Sequence, residues 1–334
     1  MDTTSQSEIK LGRRCLKAHD YRYNQRIRRK KPNRPAFIGT ILHEMLDALA
    51  KLRYDPKATL NPWQVLEKYE KQYAKLFREE QEEFGDVPKM AEVIFEGYMR
   101  RWKGDGLKIE ASEIEVSTPL IGKIHLKSKL DIICLDKSGR RFLSDHKFHK
   151  NIPGPEDRFS DIQTVLYFWV WNREHKKADR LDGIMWDYGR MKAPAVPQLL
   201  KSGKLSQRGN IDTDWHTYLQ AIKEHDLRVR DYSKMMNLLA GKERTFFERV
   251  FLPSPDKKLV EFVVEDAQQT VTMLRDMTKK GHAPRNMSGF NCNNCEYRRL
   301  CEAEVRGLDA KFIRKRDYET RDDKGELKYG EEAA

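Results

Sequence analysis

Two aspartates and a lysine in one short stretch could do chemistry together. Asp131, Asp145 and Lys147 stand in Lys129-Leu-Asp-Ile-Ile-Cys-Leu-Asp-Lys-Ser-Gly-Arg-Arg-Phe-Leu-Ser-Asp-His-Lys. The spacing predicts two strands, about 129–135 and 140–147, joined by the turn residues Asp136-Lys-Ser-Gly139. Alternation along the second strand puts Asp145 and Lys147 on one face and His146 on the other. Asp131 can then face Asp145 across the ladder. Two carboxylates can hold a hard divalent cation, and an ammonium beside them can orient a water or stabilise a phosphate's charge. The same residues also suit a solvated hairpin closed by an ion pair, so the rest of the chain must decide.

A second group is made of sulfur. Cys292, Cys295 and Cys301 form Cys-x2-Cys-x5-Cys, and three close cysteines need a fourth ligand. Cys134 lies in an apolar strand and reads as a small buried hydrophobe. Cys15, in a polar and basic stretch, is the better fourth ligand, and a site using it would pin the two chain ends together. Four cysteines fit structural zinc and an iron–sulfur cluster equally by count. Around Cys15, residues 11–35 are basic, with Arg22, Arg26, Arg28, Arg29 and Lys30 beside Tyr21 and Tyr23. Arginines among aromatics suit phosphate contact and base stacking; an import signal or a merely solvated segment would look alike.

The elements that must position these groups follow from periodicity. Gly39 to Ala50 predicts a buried helix with Thr40 as its N-cap and His43 inside it. A charged helix is expected from Asn61-Pro62 to about Phe84, and another over 88–102. Strands are expected over 110–120 and 123–135. Asp161 to Trp171 is apolar nearly all round, hence a buried helix, with Gln163 and Tyr167 four apart on one face. A strand is expected over 183–189, a loop over 191–212, and helices near 213–240 and 265–280. Residues 302–334 are dense in both charges and are expected to be partly disordered.

Composition bounds the function classes. Of 334 residues, 64 are Lys or Arg and 52 Asp or Glu, a net charge of +12 that favours polyanion partners. No apolar run reaches the ~20 residues of a membrane span, and the first residues lack the apolar core of a signal peptide. No membrane association and a cytoplasmic location are therefore expected. No Gly-x4-Gly-Lys-Ser/Thr loop occurs, so strand unwinding would need a helicase or recombination partner. No Ser-His-Asp arrangement has a spacing signal.

Taken in order, Cys15, Gly39-x3-His43, Asp131, Asp145-x-Lys147, Gln163-x3-Tyr167 and Cys292-x2-Cys295-x5-Cys301 form a set that resembles the PD-(D/E)XK nuclease superfamily. Within it, the set is most similar to the RecB-like iron–sulfur exonucleases, including the CRISPR-associated exonuclease and AddB-type nuclease domains. The resemblance implies an α/β, restriction-endonuclease-like fold: a mixed sheet flanked by helices, with a helical insertion and an iron–sulfur closure of the chain ends. It implies one nuclease domain over 1–301, divided into a basic segment with the first cysteine (1–38), a catalytic core (39–190), a loop and helical insertion (191–264) and a C-terminal helix with the cluster motif (265–301). A charged tail follows. His43, Asp131, Asp145 and the His146 carbonyl would ligate Mg²⁺ or Mn²⁺, Lys147 would act on water or phosphate, and Gln163 and Tyr167 would shape the site. The four cysteines would hold a [4Fe–4S] cluster. The implied activity is metal-dependent cleavage of DNA, exonucleolytic on single strands or ends. The rival readings are an inactive nucleic-acid-binding scaffold and a structural zinc protein. Two departures from the motif stand out: Leu130 precedes Asp131 where proline is usual, and Asp145 replaces the commoner glutamate, drawing any metal closer to its strand.

Overall fold

The computed structural model of the chain describes residues 2–31, 33–154, 161–241 and 246–320. The N-terminal part contains β1 (Asp2–Thr4), α1 (Gln6–Arg14), α2 (Leu16–His19) and β2 (Ile27–Arg29). Four helices follow: α3 (Arg34–Tyr54), α4 (Pro62–Tyr73), α5 (Arg78–Phe84) and α6 (Val87–Arg101). Next come β3 (Lys108–Ile121), β4 (Ile124–Leu135), β5 (Arg141–His149), α7 (Ile162–Glu174) and β6 (Gly183–Arg190). The remainder holds α8 (Trp215–Glu224), α9 (Ser233–Ala240), β7 (Phe247–Pro253), α10 (Lys257–Lys280), α11 (Gly289–Asn293), α12 (Arg298–Arg306), α13 (Ala310–Asp317) and β8 (Tyr318–Thr320).

β4 is the hub of a mixed sheet. β3 runs antiparallel along one edge of it, through a turn at Gly122, whose φ of +55° suits a residue without Cβ. The other edge is shared: β1 pairs in parallel with Ile124–Leu126, and β5 pairs antiparallel with Ile132–Leu135. Asp136 closes the β4–β5 turn by accepting from the Ser138 and Arg140 amides at 2.8 and 2.9 Å. β6 lies parallel to β5, a pairing that requires a crossover, and α7 lies within it. β7 completes the far edge, antiparallel to β6. Helices cover both faces. Phe37, Leu42, Met45 and Phe95 of α3 and α6 form one core; Ile9 of α1, Leu166 and Val170 of α7, and Val271 of α10 form the other with Leu130 and Leu143. α8 and α9 build a separate small core around Tyr218, Ile222, Met235 and Leu239.

Several boundaries differ from the sequence expectation. The helix carrying His43 starts at Arg34, because Asn33 accepts from the Ala36 amide at 2.8 Å and Pro35 fits the first turn. Thr40 is therefore inside the helix, donating to the Ala36 carbonyl at 2.9 Å, and is not the cap. The helix expected over 61–84 is broken into α4 and α5, and the break lets the Tyr73 hydroxyl reach the Gln81 and Gly85 carbonyls at 3.1 and 2.9 Å. The expected 213–240 helix is likewise two, separated by Asp226 at φ +51°. α10 begins at Lys257, eight residues before the expected start. Segment 191–264 holds more than a loop and helices, since β7 in it is a strand of the main sheet.

Part of the charged tail is built into the fold. Residues 302–320 are ordered into the end of α12, α13 and β8, and β8 pairs with β2 from Ile27↔Thr320 to Arg29↔Tyr318. Tyr318 is buried against Tyr297 and Ile27. Its apolar anchors, Ile313 and Tyr318, are few among many charges, so composition alone reads the segment as solvated. Residues 321–334 lie outside the described residues. No helix among the described residues is long and apolar enough to cross a membrane.

Candidate active site and four-cysteine cavity

The site forms where β4 and β5 part company. Their last ladder pair is Ile132↔Ser144. Beyond it, β5 stays paired with β6, but its edge toward β4 is released. The His146 amide uses that freedom to donate to Asp131 Oδ2 at 3.0 Å. Asp131 and Asp145 thus come together at the fork. Burial first, and the Asp145 charge second, push the Asp131 carboxyl well above the usual carboxylate range. Lys147 Nζ lies 2.8 Å from Asp145 Oδ2, on the face that alternation predicts. Burial disfavours its ammonium, but the Asp145 carboxylate outweighs this and holds the lysine above its ordinary pKa. The ammonium also lies 5.4 Å from the centre of the Trp186 ring on β6.

α3 and α7 bring the remaining groups. His43 Nδ1 is 3.7 Å from Asp131 Oδ2, and burial pushes the imidazole down to about 4, so it is neutral near pH 7. On α7, Gln163 Nε2 donates to Tyr167 Oη at 2.8 Å. Burial, then the charges of Asp145 and Asp131, push the phenol upward, which keeps its proton in place. Glu44, next to His43 in sequence, lines the same cleft as His43 and Asp131 and accepts from Lys68 at 2.9 Å.

Residues not read from the sequence also belong here. Glu113 on β3 lies between the Ser112↔Ile132 and Ile114↔Leu130 pairs, opposite Asp131, at φ +52°. It pairs with Lys129, and both line a cleft with His43, Asp47 and Asp131. Alternation from Asp131 back to Lys129 was the available signal. Behind β5, the His146 side chain joins a buried network. Tyr98 Oη donates to Asp187 Oδ2 at 2.7 Å and accepts from Arg249 Nη2 at 2.8 Å. That leaves the phenol to accept a third bond from His146 Nε2, 3.2 Å away. Arg249 reaches Asp187 Oδ2 at 2.8 Å and Asp105 Oδ2 at 2.5 Å. No local spacing announces a network drawn from α6, β5, β6 and β7.

Among the described residues, no three His, Cys, Asp or Glu side chains form a finished metal site as they stand. The donor chemistry nevertheless suits a hard cation. The charge of Asp145 adds to the cost of ionising Asp131, and a cation removes that cost.

The cysteines meet elsewhere. Cys15, Cys292, Cys295 and Cys301 line one cavity of about 430 Å³, with Arg285 and Arg298 among its walls. Burial, and to a smaller extent the charge of Cys15, raise the Cys295 thiol. Cys134 is fully buried at the β4–β5 ladder, away from that cavity. The chain ends are tied beside the cavity: Lys17 N–H donates to the Pro284 carbonyl at 3.1 Å, and Asn286 Nδ2 to the Arg14 carbonyl at 3.0 Å. In the basic segment, Arg22 pairs with Glu296 at 3.2 Å and Arg28 with Glu319 at 2.7 Å, while Arg26, Arg29 and Lys30 are exposed.

A family model described as the PD-(D/E)XK nuclease superfamily matches residues 3–302. No curated protein matches the chain. A solved structure titled "Crystal structure of SSO0001" is similar at a TM-score of 0.31 and 12% identity, over 80% of this chain and 95% of that one. At that score the likeness does not bear on function.

Proposed function

The chain belongs to the PD-(D/E)XK nuclease superfamily, and from that premise we propose that it is a divalent-cation-dependent deoxyribonuclease. Its mode is exonucleolytic, on single strands or free ends, in recombination, repair or end processing. The observation that carries the reading is the fork at which Asp131 and Asp145 meet, with Lys147 held 2.8 Å from Asp145.

Asp131, Asp145, the neutral His43 imidazole and the His146 carbonyl would hold Mg²⁺ or Mn²⁺. When bound, the ion supplies charge neutralisation at the phosphate and a more acidic water. The chain's own groups do the rest. The His146 amide fixes one Asp131 oxygen and so the direction of the other. Lys147 stays protonated and donates to a phosphate or water oxygen, stabilising the charge that develops there. Tyr167 accepts from Gln163, so its own O–H is left to donate to a backbone oxygen of the strand. Arg22, Arg26, Arg28, Arg29 and Lys30 would contribute contacts to the strand.

The four cysteines are assigned to a [4Fe–4S] cluster with a structural role. Convergence of all four on one cavity with arginines in its walls supports this, because a group bound by four thiolates is anionic. Zinc is the alternative, and metal analysis of protein purified without air distinguishes the two.

End-labelled single- and double-stranded DNA, incubated with Mn²⁺ or Mg²⁺, tests the activity. Wild type should shorten the label from an end, and Asp145→Ala should lower the rate by at least about a hundredfold. Folded wild type that binds DNA yet leaves it intact would replace the nuclease with a binding scaffold.

A further inference from the structure

The pairing of β2 with β8 joins two strongly basic segments from opposite ends of the chain. Five of the six residues 26–31 and four of the six residues 311–316 are Lys or Arg. They are tied together: Lys30 N–H donates to the Asp317 carbonyl at 3.0 Å and Lys30 Nζ to the Lys315 carbonyl at 2.9 Å. Arg314 Nη1 donates to Gln25 Oε1 at 2.9 Å.

Nearby carboxylates are already engaged. Glu319 pairs with Arg28, Asp317 with Arg316, Glu296 with Arg22 and Glu80 with Lys31. Lys30 and Arg314 make their hydrogen bonds to uncharged oxygens, so their charges stay uncompensated by those partners. Arg29, Lys30, Lys311, Arg314 and Lys315 are all exposed. Phe312 is 57% exposed among them, with the Arg316 guanidinium 5.4 Å from its ring centre. α13 and β8 lie beyond the residues matched to the family, whereas β2 lies within them.

We propose that the β2–β8–α13 face binds the backbone of the substrate strand away from the scissile bond, with Phe312 offering a stacking platform for a base. Phosphates meet fixed cations there, and an aromatic ring among arginines suits an unpaired base. The face is coupled to the site through α3, which begins five residues after β2 and carries His43 in its third turn. The nine residues of helix between them span roughly 14 Å, so a strand held on this face and cut at the site must be several nucleotides long. The proposal rests on the nucleic-acid-cleaving reading above and adds a place to it.

The test compares full-length wild type with Lys311→Ala/Arg314→Ala/Lys315→Ala and, separately, Phe312→Ala, using single-stranded oligonucleotides of graded length. Alanine preserves the helix, and circular dichroism checks the fold; Lys311→Gln/Lys315→Gln replaces the triple variant if it unfolds. The triple variant should make the slope of log affinity against log salt shallower by about 2, at roughly −0.7 per lost phosphate contact. Its KM on long strands should rise about tenfold, with the rise shrinking as strands become too short to reach from the site to this face. Phe312→Ala should weaken binding with little change in slope. Cleaving wild type alongside variants with its own slope and KM would overturn the surface. Wild type that binds steeply with salt but never cuts would sink the nuclease reading and leave the surface standing. Wild type that binds no nucleic acid overturns both.

Discussion

Asp131 sits where its charge is disfavoured, by burial and then by Asp145. Its folded pKa lies above the unfolded value, so its contribution to stability is present at low pH and is lost as pH rises through the raised value. Asp131→Asn keeps an acceptor for the His146 amide and removes the repulsion. In chelator at neutral pH the variant should melt a few degrees above wild type while cutting no DNA, as calorimetry beside a cleavage assay would register; a lower midpoint would contradict the strained carboxylate. The same background isolates the histidines. Burial pushes His43 down to about 4 and His146 down to about 3. Their unfolded counterparts take protons first as pH falls below about 6.5. Stability of Asp131→Asn should therefore be flat from pH 7.5 to 6.5 and decline from there toward pH 4, with an uptake on unfolding of up to about one proton per histidine. Urea midpoints across that range measure it, and a flat profile down to pH 4.5 would refute the two neutral imidazoles. At this scale the sequence was informative where chemistry demands a residue type at a fixed local spacing. Asp145 and Lys147 on one strand face, and Gln163 with Tyr167 on one helix face, are such cases. Glu113 and Trp186 were invisible because strand pairing alone brings the one to the cleft and the other to Lys147.

At the level of elements, the fork between β4 and β5 does two things. It frees an amide to clamp Asp131, and it turns His146 into the opposite core, where Tyr98 bridges it to Asp187 and Arg249. Tyr98→Phe deletes the bridge and leaves polar partners buried, at a cost of about 1–3 kcal/mol. If the network orients residue 146, the variant should also need severalfold more Mn²⁺ for half-maximal cleavage. Loss of stability with an unchanged Mn²⁺ requirement would make the network purely structural. β3 and β4 were legible because apolar and polar residues alternate along much of their length. β7 was not, because Glu248 and Arg249 break the alternation of its apolar residues. The break after Tyr73 escaped periodicity too, since its cause is a tyrosine reaching carbonyls at Gln81 and Gly85.

The whole molecule is closed by its two ends. Tyr297 donates to the Ile27 carbonyl at 2.9 Å, β2 pairs with β8, and the four cysteines face one cavity between the end segments. Cys295→Ser should give protein that is colourless when purified without air and melts several degrees lower; a stable brown variant would remove Cys295 from the ligands. The cysteine spacing pointed to the two ends meeting, but composition hid the β2–β8 part of the closure, because a charge-rich tail reads as solvated until Tyr318 and Ile313 are seen docked on Tyr21 and Tyr297. The closure also sets an order of events during biosynthesis. Arg28 and its partner Glu319 are 291 residues apart. At about 5–20 residues per second, β2 leaves the ribosome roughly 15–60 s before the strand that will cover it. For that interval the nascent chain displays a bare strand edge and a basic, tyrosine-bearing segment that polyanions can reach, until α13 and β8 arrive to cover it.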